Sequence, residues 1–198
     1  MLYVLVVIIS ILLLWRGLRF LTTPFFKKIG FYQYHSPMFF TISLTPKLYE
    51  IHLGTSWDFF KMQKINPKLQ MIYLTQGLLN LCEKIEAGLI NPKATIKGNL
   101  YFLKESSVLK FGFHIRDLNL YESLLTFFNI IESSILLSIS YKRLSFVRLN
   151  DFKVIYISAY ELLQNKQKFR FLLSKMTNHE ILDIPKKSLQ VYKETYVA

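Results

Sequence analysis

The sequence predicts an α+β fold: an N-terminal single transmembrane helix, then one mixed domain of about six mostly antiparallel strands and three helices. Three observations lead there. Residues 2–21 form one apolar run with basic residues at its far end. After residue 38, short runs of period two alternate with longer stretches of three- and four-residue spacing. The 198 residues suffice for one domain and an attachment segment, but leave little room for two domains. The chain divides into an anchor (1–21), a membrane-surface collar (22–37), the domain (38–177) and a C-terminal arm (178–198).

Residues 1–15, MLYVLVVIISILLLW, carry no charge and one polar side chain, Ser10. As a helix they span about 22 Å, short of the ~30 Å hydrocarbon core. RGLRFL extends the run to Leu21, with Arg16 and Arg19 placed to snorkel to headgroups. Pro24 ends the helix in this reading, because the residue before a proline is biased away from helix. A cleaved signal peptide fits less well, since no basic residue precedes the run and no small-residue cleavage site follows it. A buried core helix is the third reading, and the one-sided charge opposes it. Arg16, Arg19, Lys27 and Lys28 all follow the run, and the first acidic residue is Glu50. The positive-inside rule then puts the bulk of a single-pass protein on the cytoplasmic side.

Trp15, Arg16, Arg19, Phe25, Phe26, Lys27 and Lys28 are the candidate membrane-interface residues. In the collar, Phe25, Phe26, Phe31, Tyr32 and Tyr34 suit a half-wet headgroup zone. They suit the first layer of the domain core equally well.

Beyond the collar, residues 38–45 and 49–54 read as strands parted by the turn signal Pro46-Lys47. From Pro67 to Gly88, the residues Leu74, Leu78, Leu81, Cys82, Ile85 and Leu89 recur at helical spacing. Residues 95–103 and 108–116 read as a hairpin, with Leu109, Phe111, Phe113 and Ile115 on one face of its second strand. Residues 119–133 read as a helix with Asn119 and Glu122 close to a capping box. A strand over 135–141, another over 152–158 and a helix over 160–176 complete the domain. Residues 124–141 are apolar enough to be weighed as a second crossing. Asn129 and Glu132 would then lie near the bilayer centre, where Glu costs a few kcal/mol, so a buried helix running into a strand is preferred.

Composition narrows function. Lys and Arg number 25 against 13 Asp and Glu, a net charge of +12, while 52% of residues are hydrophobic and 16% aromatic. That excludes a disordered chain and is unlike an ordinary soluble enzyme. A single cysteine, Cys82, excludes an internal disulfide framework and a cysteine-based zinc site. The four histidines show no zincin spacing, and neither a Walker A loop nor a Rossmann fingerprint is present. No metal and no cofactor is expected.

The most site-like stretch, residues 50–60 (EIHLGTSWDFF), offers His52, Ser56 and Asp58 as weak catalytic candidates. His52 would serve as base toward Ser56 or a substrate hydroxyl. The segment lacks the G-x-S-x-G elbow. His52 and Asp58 are six apart, where the lipid acyltransferase signature needs five. Thr55 or Ser56 as a helix cap, with Asp58 in the first turn, accounts for the same residues structurally. His114 and Arg116 form a second, weak anion-binding pair on a polar strand face. Eight basic residues between Lys142 and Lys175 face only Asp151 and Glu161. An anionic leaflet explains that charge together with the anchor, so no nucleic acid is expected as partner.

These features describe a non-catalytic, membrane-anchored accessory or scaffold subunit. Its basic domain on the cytoplasmic side of the lipid bilayer would bind another envelope protein. The alternative is a membrane-anchored enzyme acting on a lipid or lipid-linked substrate.

Overall fold

A computed structural model describes residues 2–62 and 65–177; the arm predicted over 178–198 lies outside the described residues. Its strands are β1 (Gln33–Ser36), β2 (Phe39–Thr45), β3 (Leu48–Leu53), β4 (Thr95–Leu100), β5 (His114–Arg116) and β6 (Lys153–Ser158). They make one mixed sheet in the order β1-β2-β3-β4-β6-β5. Every neighbouring pair is antiparallel except β3 and β4. That parallel pair needs a crossover, supplied by α2 (Ser56–Lys61) and α3 (Pro67–Glu86). The fold is thus α+β, as the sequence predicts, with more helices than the three expected.

Alternation along β3 separates two faces. Tyr49 and Ile51 join the main core, while Glu50 and His52 point to the other side of the pleat. On the core side α3 packs with α7 (Ala159–Gln164) and α8 (Lys166–Thr177). Phe39, Leu78, Leu81, Cys82, Ile96, Ile157, Leu162 and Phe169 are fully buried there, each worth about 1.5–3 kcal/mol for a large apolar side chain. Pro67 stands at the start of α3, and Asn66 Oδ1 accepts from the Leu69 N–H at 2.8 Å. Over the second face lie α2, α5 (Leu120–Phe127) and α6 (Ile130–Tyr141). A smaller cluster of Met38, Phe59, Ile65 and Leu136 fastens them.

Several elements depart from the sequence reading. The N-terminal helix α1 runs Leu2–Lys28, straight through Pro24. Proline removes one ladder bond, but the Thr22 and Thr23 hydroxyls donate back to Leu18 and Arg19 carbonyls. Lys27, one turn on, is held by Asp58 at 2.5 Å. The collar is therefore split between the end of α1 and the edge strand β1.

The predicted hairpin does not form. Residues 105–110 are a helix, α4 (Glu105–Lys110), and β6 lies between β4 and β5. Val108 and Phe111, three apart, are buried while Leu109 is exposed, so the burial is helical where the sequence alternates. Gly112 takes φ +86°. Its N–H donates to the Leu109 carbonyl, and the Phe113 N–H to Val108, which closes the helix as a Schellman motif.

The predicted strand over 135–141 is helix α6. Ser138 and Ser140 donate to the carbonyls of Ser134 and Leu136. Such back-bonding satisfies a hydroxyl within the helix, so a serine alternation is no mark of a strand here. The last helix is likewise two, α7 and α8, with α7 started by a Ser158–Glu161 capping box.

Gly77 marks the closest approach of α3 to the sheet. A Cβ added there would lie 2.3 Å from Phe39 Cδ1, and the Phe39 ring is buried in the main core. Gly77→Ala is expected to lower stability by about 1–3 kcal/mol despite alanine's better helix propensity. A fall of several degrees in unfolding temperature checks this.

Candidate functional site

The polar face of the sheet is roofed, at one end, by the helices that follow β5. Glu50 and His52 on β3 and Asn99 on β4 supply the floor, and Tyr101 and Phe102 leave the end of β4 beside them. Thr126 of α5 and Glu132, Ser133 and Ser140 of α6 supply the roof, with Arg19 of α1 at the rim. Together they line a cavity of about 190 Å³.

The roof helices are inverted relative to a water-soluble helix. Thr126, Ser133 and Ser140 are 2%, 8% and 2% exposed, whereas Leu120 is 90% and Ile131 72% exposed. Leu124, Phe127 and Ile135 also face outward. A soluble amphipathic helix buries its apolar stripe and exposes its polar one; α5 does the reverse, and α6 buries Ser133 and Ser140 beside Leu136 while exposing Ile131 and Ile135. The two helices meet at a 61° bend. Among the described residues no single helix is long and apolar enough to cross a membrane, but this bent pair meets both conditions jointly.

One guanidinium holds the bend. Arg16 donates to Glu132, to the Phe128 carbonyl at 2.5 Å and to Asn129 Oδ1 at 2.7 Å. It thereby satisfies a carbonyl at the end of α5 and a carboxylate in the first turn of α6. Arg19 lies 3.7 Å from the same carboxylate, and Ser56 Oγ donates to its other oxygen.

Two of the residues that line the cavity carry a buried polar atom with no hydrogen-bond partner: His52 Nε2 and Thr126 Oγ1. The His52 ring stacks on Phe40 at 5.0 Å, and Nε2 lies 3.9 Å from Glu50 Oε1. Burial, and then the positive charge of Arg19, pull His52 down to about 4, so the imidazole is neutral at pH 7. Burial raises the Glu50 carboxyl, against the pull of Lys97 and Arg19. Burial likewise raises the Tyr101 phenol.

The structure parts the predicted catalytic trio. His52 faces the cavity, but among the described residues no hydrogen bond joins it to Ser56 or Asp58. Asp58 accepts from Lys27 at 2.5 Å, Tyr34 at 2.6 Å, and the Thr55 N–H and hydroxyl at 2.8 and 2.7 Å. It closes a capping box on α2 with Thr55. Of the anion-binding pair, Arg116 makes two 2.7 Å bonds to Glu122, and His114 lies 3.4 Å from Glu161 and stacks on Tyr156. Both side chains face carboxylates of the same chain. Among the membrane-interface residues, Trp15, Phe25 and Lys28 are exposed and Phe26 is half-buried, while Arg16 and Lys27 turn inward to Glu132 and Asp58.

Thr126, Asn99, Tyr101 and Glu132 are the site residues that the sequence reading did not assign. Only Glu132 carried a signal, as the sole acidic residue between Ser123 and Asn150. Among the described residues no group of His, Cys, Asp and Glu has the arrangement of a metal site. No family profile matches the sequence, and neither a curated protein nor a solved structure does.

Two expectations follow from this geometry. Glu132→Leu leaves Arg16 without its carboxylate and is expected to cost about 2–4 kcal/mol, each side chain being roughly four-fifths buried. Adding Arg16→Met is expected to recover at least about 1 kcal/mol of that loss, measured as the coupling in a double-mutant cycle of thermal unfolding.

The second concerns acid. His52 titrates near 6.5 when unfolded and near 4 when folded. As pH falls through that window the unfolded chain takes up a proton that the folded one refuses, so stability falls. The stabilisation present above pH 6.5 is lost below about pH 4, on the order of 2–3 kcal/mol for this half-buried ring. His35, buried and lowered to about 3, acts in the same direction. His52→Gln is expected to flatten the upper part of the unfolding-temperature profile between pH 6.5 and 4.

Proposed function

We propose that the protein is a non-catalytic accessory or scaffold subunit of a membrane complex. The apolar run at its N-terminus anchors it, and the outward face of α5 and α6 lies in the same bilayer and meets another integral membrane protein. The carrying observation is the helix pair α5 and α6, which buries Thr126, Ser133 and Ser140 toward the sheet and exposes most of its large apolar side chains, Leu136 excepted. In water such a surface is a liability, and continuous apolar patches of this kind mark membrane or protein contacts. The exposed Leu13, Leu14, Leu18 and Leu21 of α1 extend that surface, and the Arg16–Glu132 pair binds the two parts together. The net charge of +12 suits a domain held against the anionic cytoplasmic leaflet.

The full-length protein, purified in mild detergent from its native host, is expected to carry a stoichiometric membrane companion. Leu124→Lys with Ile131→Lys is expected to release that companion at least tenfold more readily while the N-terminal anchor keeps the variant in the membrane fraction. A monodisperse protein with no companion, or a companion indifferent to the double variant, overturns the reading.

A second reading, an enzyme acting on a lipid, draws on His52 Nε2, which stands unpartnered in the cavity. Against it, the Ser56 hydroxyl is committed to Glu132 and Asp58 to its cap, so no nucleophile is paired with that base.

A further inference from the structure

The cavity beneath α5 and α6 is assigned no role by the accessory reading, yet it is built as a site. Its volume is about 190 Å³. One water needs about 10–15 Å³ of such volume, so the space admits a group the size of a hexose ring. We propose that it binds the uncharged, polyhydroxylated headgroup of a glycolipid, a single hexose whose lipid tail runs out along the apolar face of α5 and α6.

Three properties select that chemistry. First, charge inside and immediately behind the wall balances. Glu50 and Glu132 face Arg19 and Arg16, and Glu132 is already engaged by both arginines. A phosphate or an ammonium group would enter without an unspent counter-charge and would lose its hydration. A sugar brings no charge to be matched.

Second, the unspent groups are neutral hydrogen-bonding atoms. Thr126, 2% exposed, has an unpartnered hydroxyl. His52 offers an unpartnered ring nitrogen. Each is paired by a ligand hydroxyl, which both donates and accepts. Burying either atom without a partner is costly, so a hydroxyl-rich occupant recovers free energy that an apolar one does not.

Third, part of the wall is aromatic. The Tyr101 and Phe152 rings lie 4.9 Å apart and both line the cavity. A sugar ring has an apolar C–H face flanked by hydroxyls, and a mixed aromatic and polar lining is complementary to it. The tail half of the inference rests on the membrane reading given above, because the outward face of the roof helices is the apolar surface invoked there. The headgroup half stands on the cavity alone.

The test uses the full-length protein in detergent micelles with monoglucosyl diacylglycerol as probe. Phosphatidylcholine and phosphatidylglycerol serve as comparators, and retention is read by native mass spectrometry. The glucosyl lipid is expected to be held at least tenfold more tightly than either phospholipid. Thr126→Val and His52→Phe are each expected to weaken it tenfold or more. Thr126→Val should do so with an unfolding temperature at or above that of the unaltered protein, since it removes an unpartnered hydroxyl without a change of shape; this separates lost binding from lost folding. Equal retention of the three lipids, or unaltered retention in both variants, overturns the proposal. Displacement by methyl glucoside at concentrations comparable to the lipid would assign the cavity to free sugars and overturn the lipid source. Flotation with phosphatidylcholine vesicles tests the membrane reading separately. If flotation fails while micellar glucosyl lipid is still bound, the membrane placement falls and the headgroup site stands.

Discussion

The Arg16 guanidinium is the constraint on which the arrangement depends. It reaches one carbonyl at the end of α5, the Asn129 side chain in the break, and the Glu132 carboxylate on α6. A bent helix pair leaves carbonyls and N–H groups unsatisfied at its break, and in apolar surroundings each of these is costly. A guanidinium carries five donors in a fixed fork and suits the task better than an ammonium. Because Arg16 belongs to α1, satisfying the bend also docks the N-terminal helix on the domain. Nearer the sheet, Phe20 adds ring contacts with Trp57 and Phe60, and Lys27 adds its bridge to Asp58.

The same constraint orients the roof. With Glu132 fixed toward α1 and α2, Thr126, Ser133 and Ser140 face the sheet, while Leu120, Leu124, Phe127, Ile131 and Ile135 face out and Leu136 packs inward. The main core on the opposite face of the sheet is conventional by contrast, with α3, α7 and α8 burying apolar stripes. One sheet therefore separates two solvation regimes. Tyr49 and Ile51 point into dry packing, while Glu50 and His52, their neighbours in sequence, point into a polar chamber whose far wall is apolar outside.

Legibility in the sequence followed the same division. Where pattern and environment agreed, the elements were readable. The start of α3 at Pro67, the strands at 39–45, 48–53 and 153–158, and the Asn119 cap of α5 all rest on local chemistry. The failures fell where a period-two pattern coincided with helical burial. Leu109, Phe111, Phe113 and Ile115 alternate perfectly, yet the Schellman closure at Gly112 ends a helix in the middle of them. Ser138 and Ser140 alternate with leucine and isoleucine, yet their hydroxyls are satisfied within α6. The site was least readable of all. Asn99, Tyr101 and Thr126 have no shared motif, and they converge only because β4 stands beside β3 and the 61° bend folds α5 over it. Arg16 and Lys27, placed by sequence at a headgroup boundary, are turned inward by carboxylates 116 and 31 residues away.

A polar chamber behind an apolar roof is an unfavourable arrangement unless something compensates it. The Gln70–Ser140 hydrogen bond shows that the roof can satisfy its own polar groups across to α3 where the two come close. A valine at 126 or a phenylalanine at 52 would remove an unpartnered buried atom. Among the described residues, His52 and Thr126 each carry a buried polar atom without a hydrogen-bond partner, and both line the same cavity. Packing alone gives no reason for that coincidence, because buried polar groups left single are costly wherever they lie. A common occupant that pairs with both does give one. The balanced charge of the wall favours an uncharged molecule, the occupant proposed above. Cavity, bend and N-terminal helix are in this sense one structure, held in register by the ion pair between the first helix and the sixth.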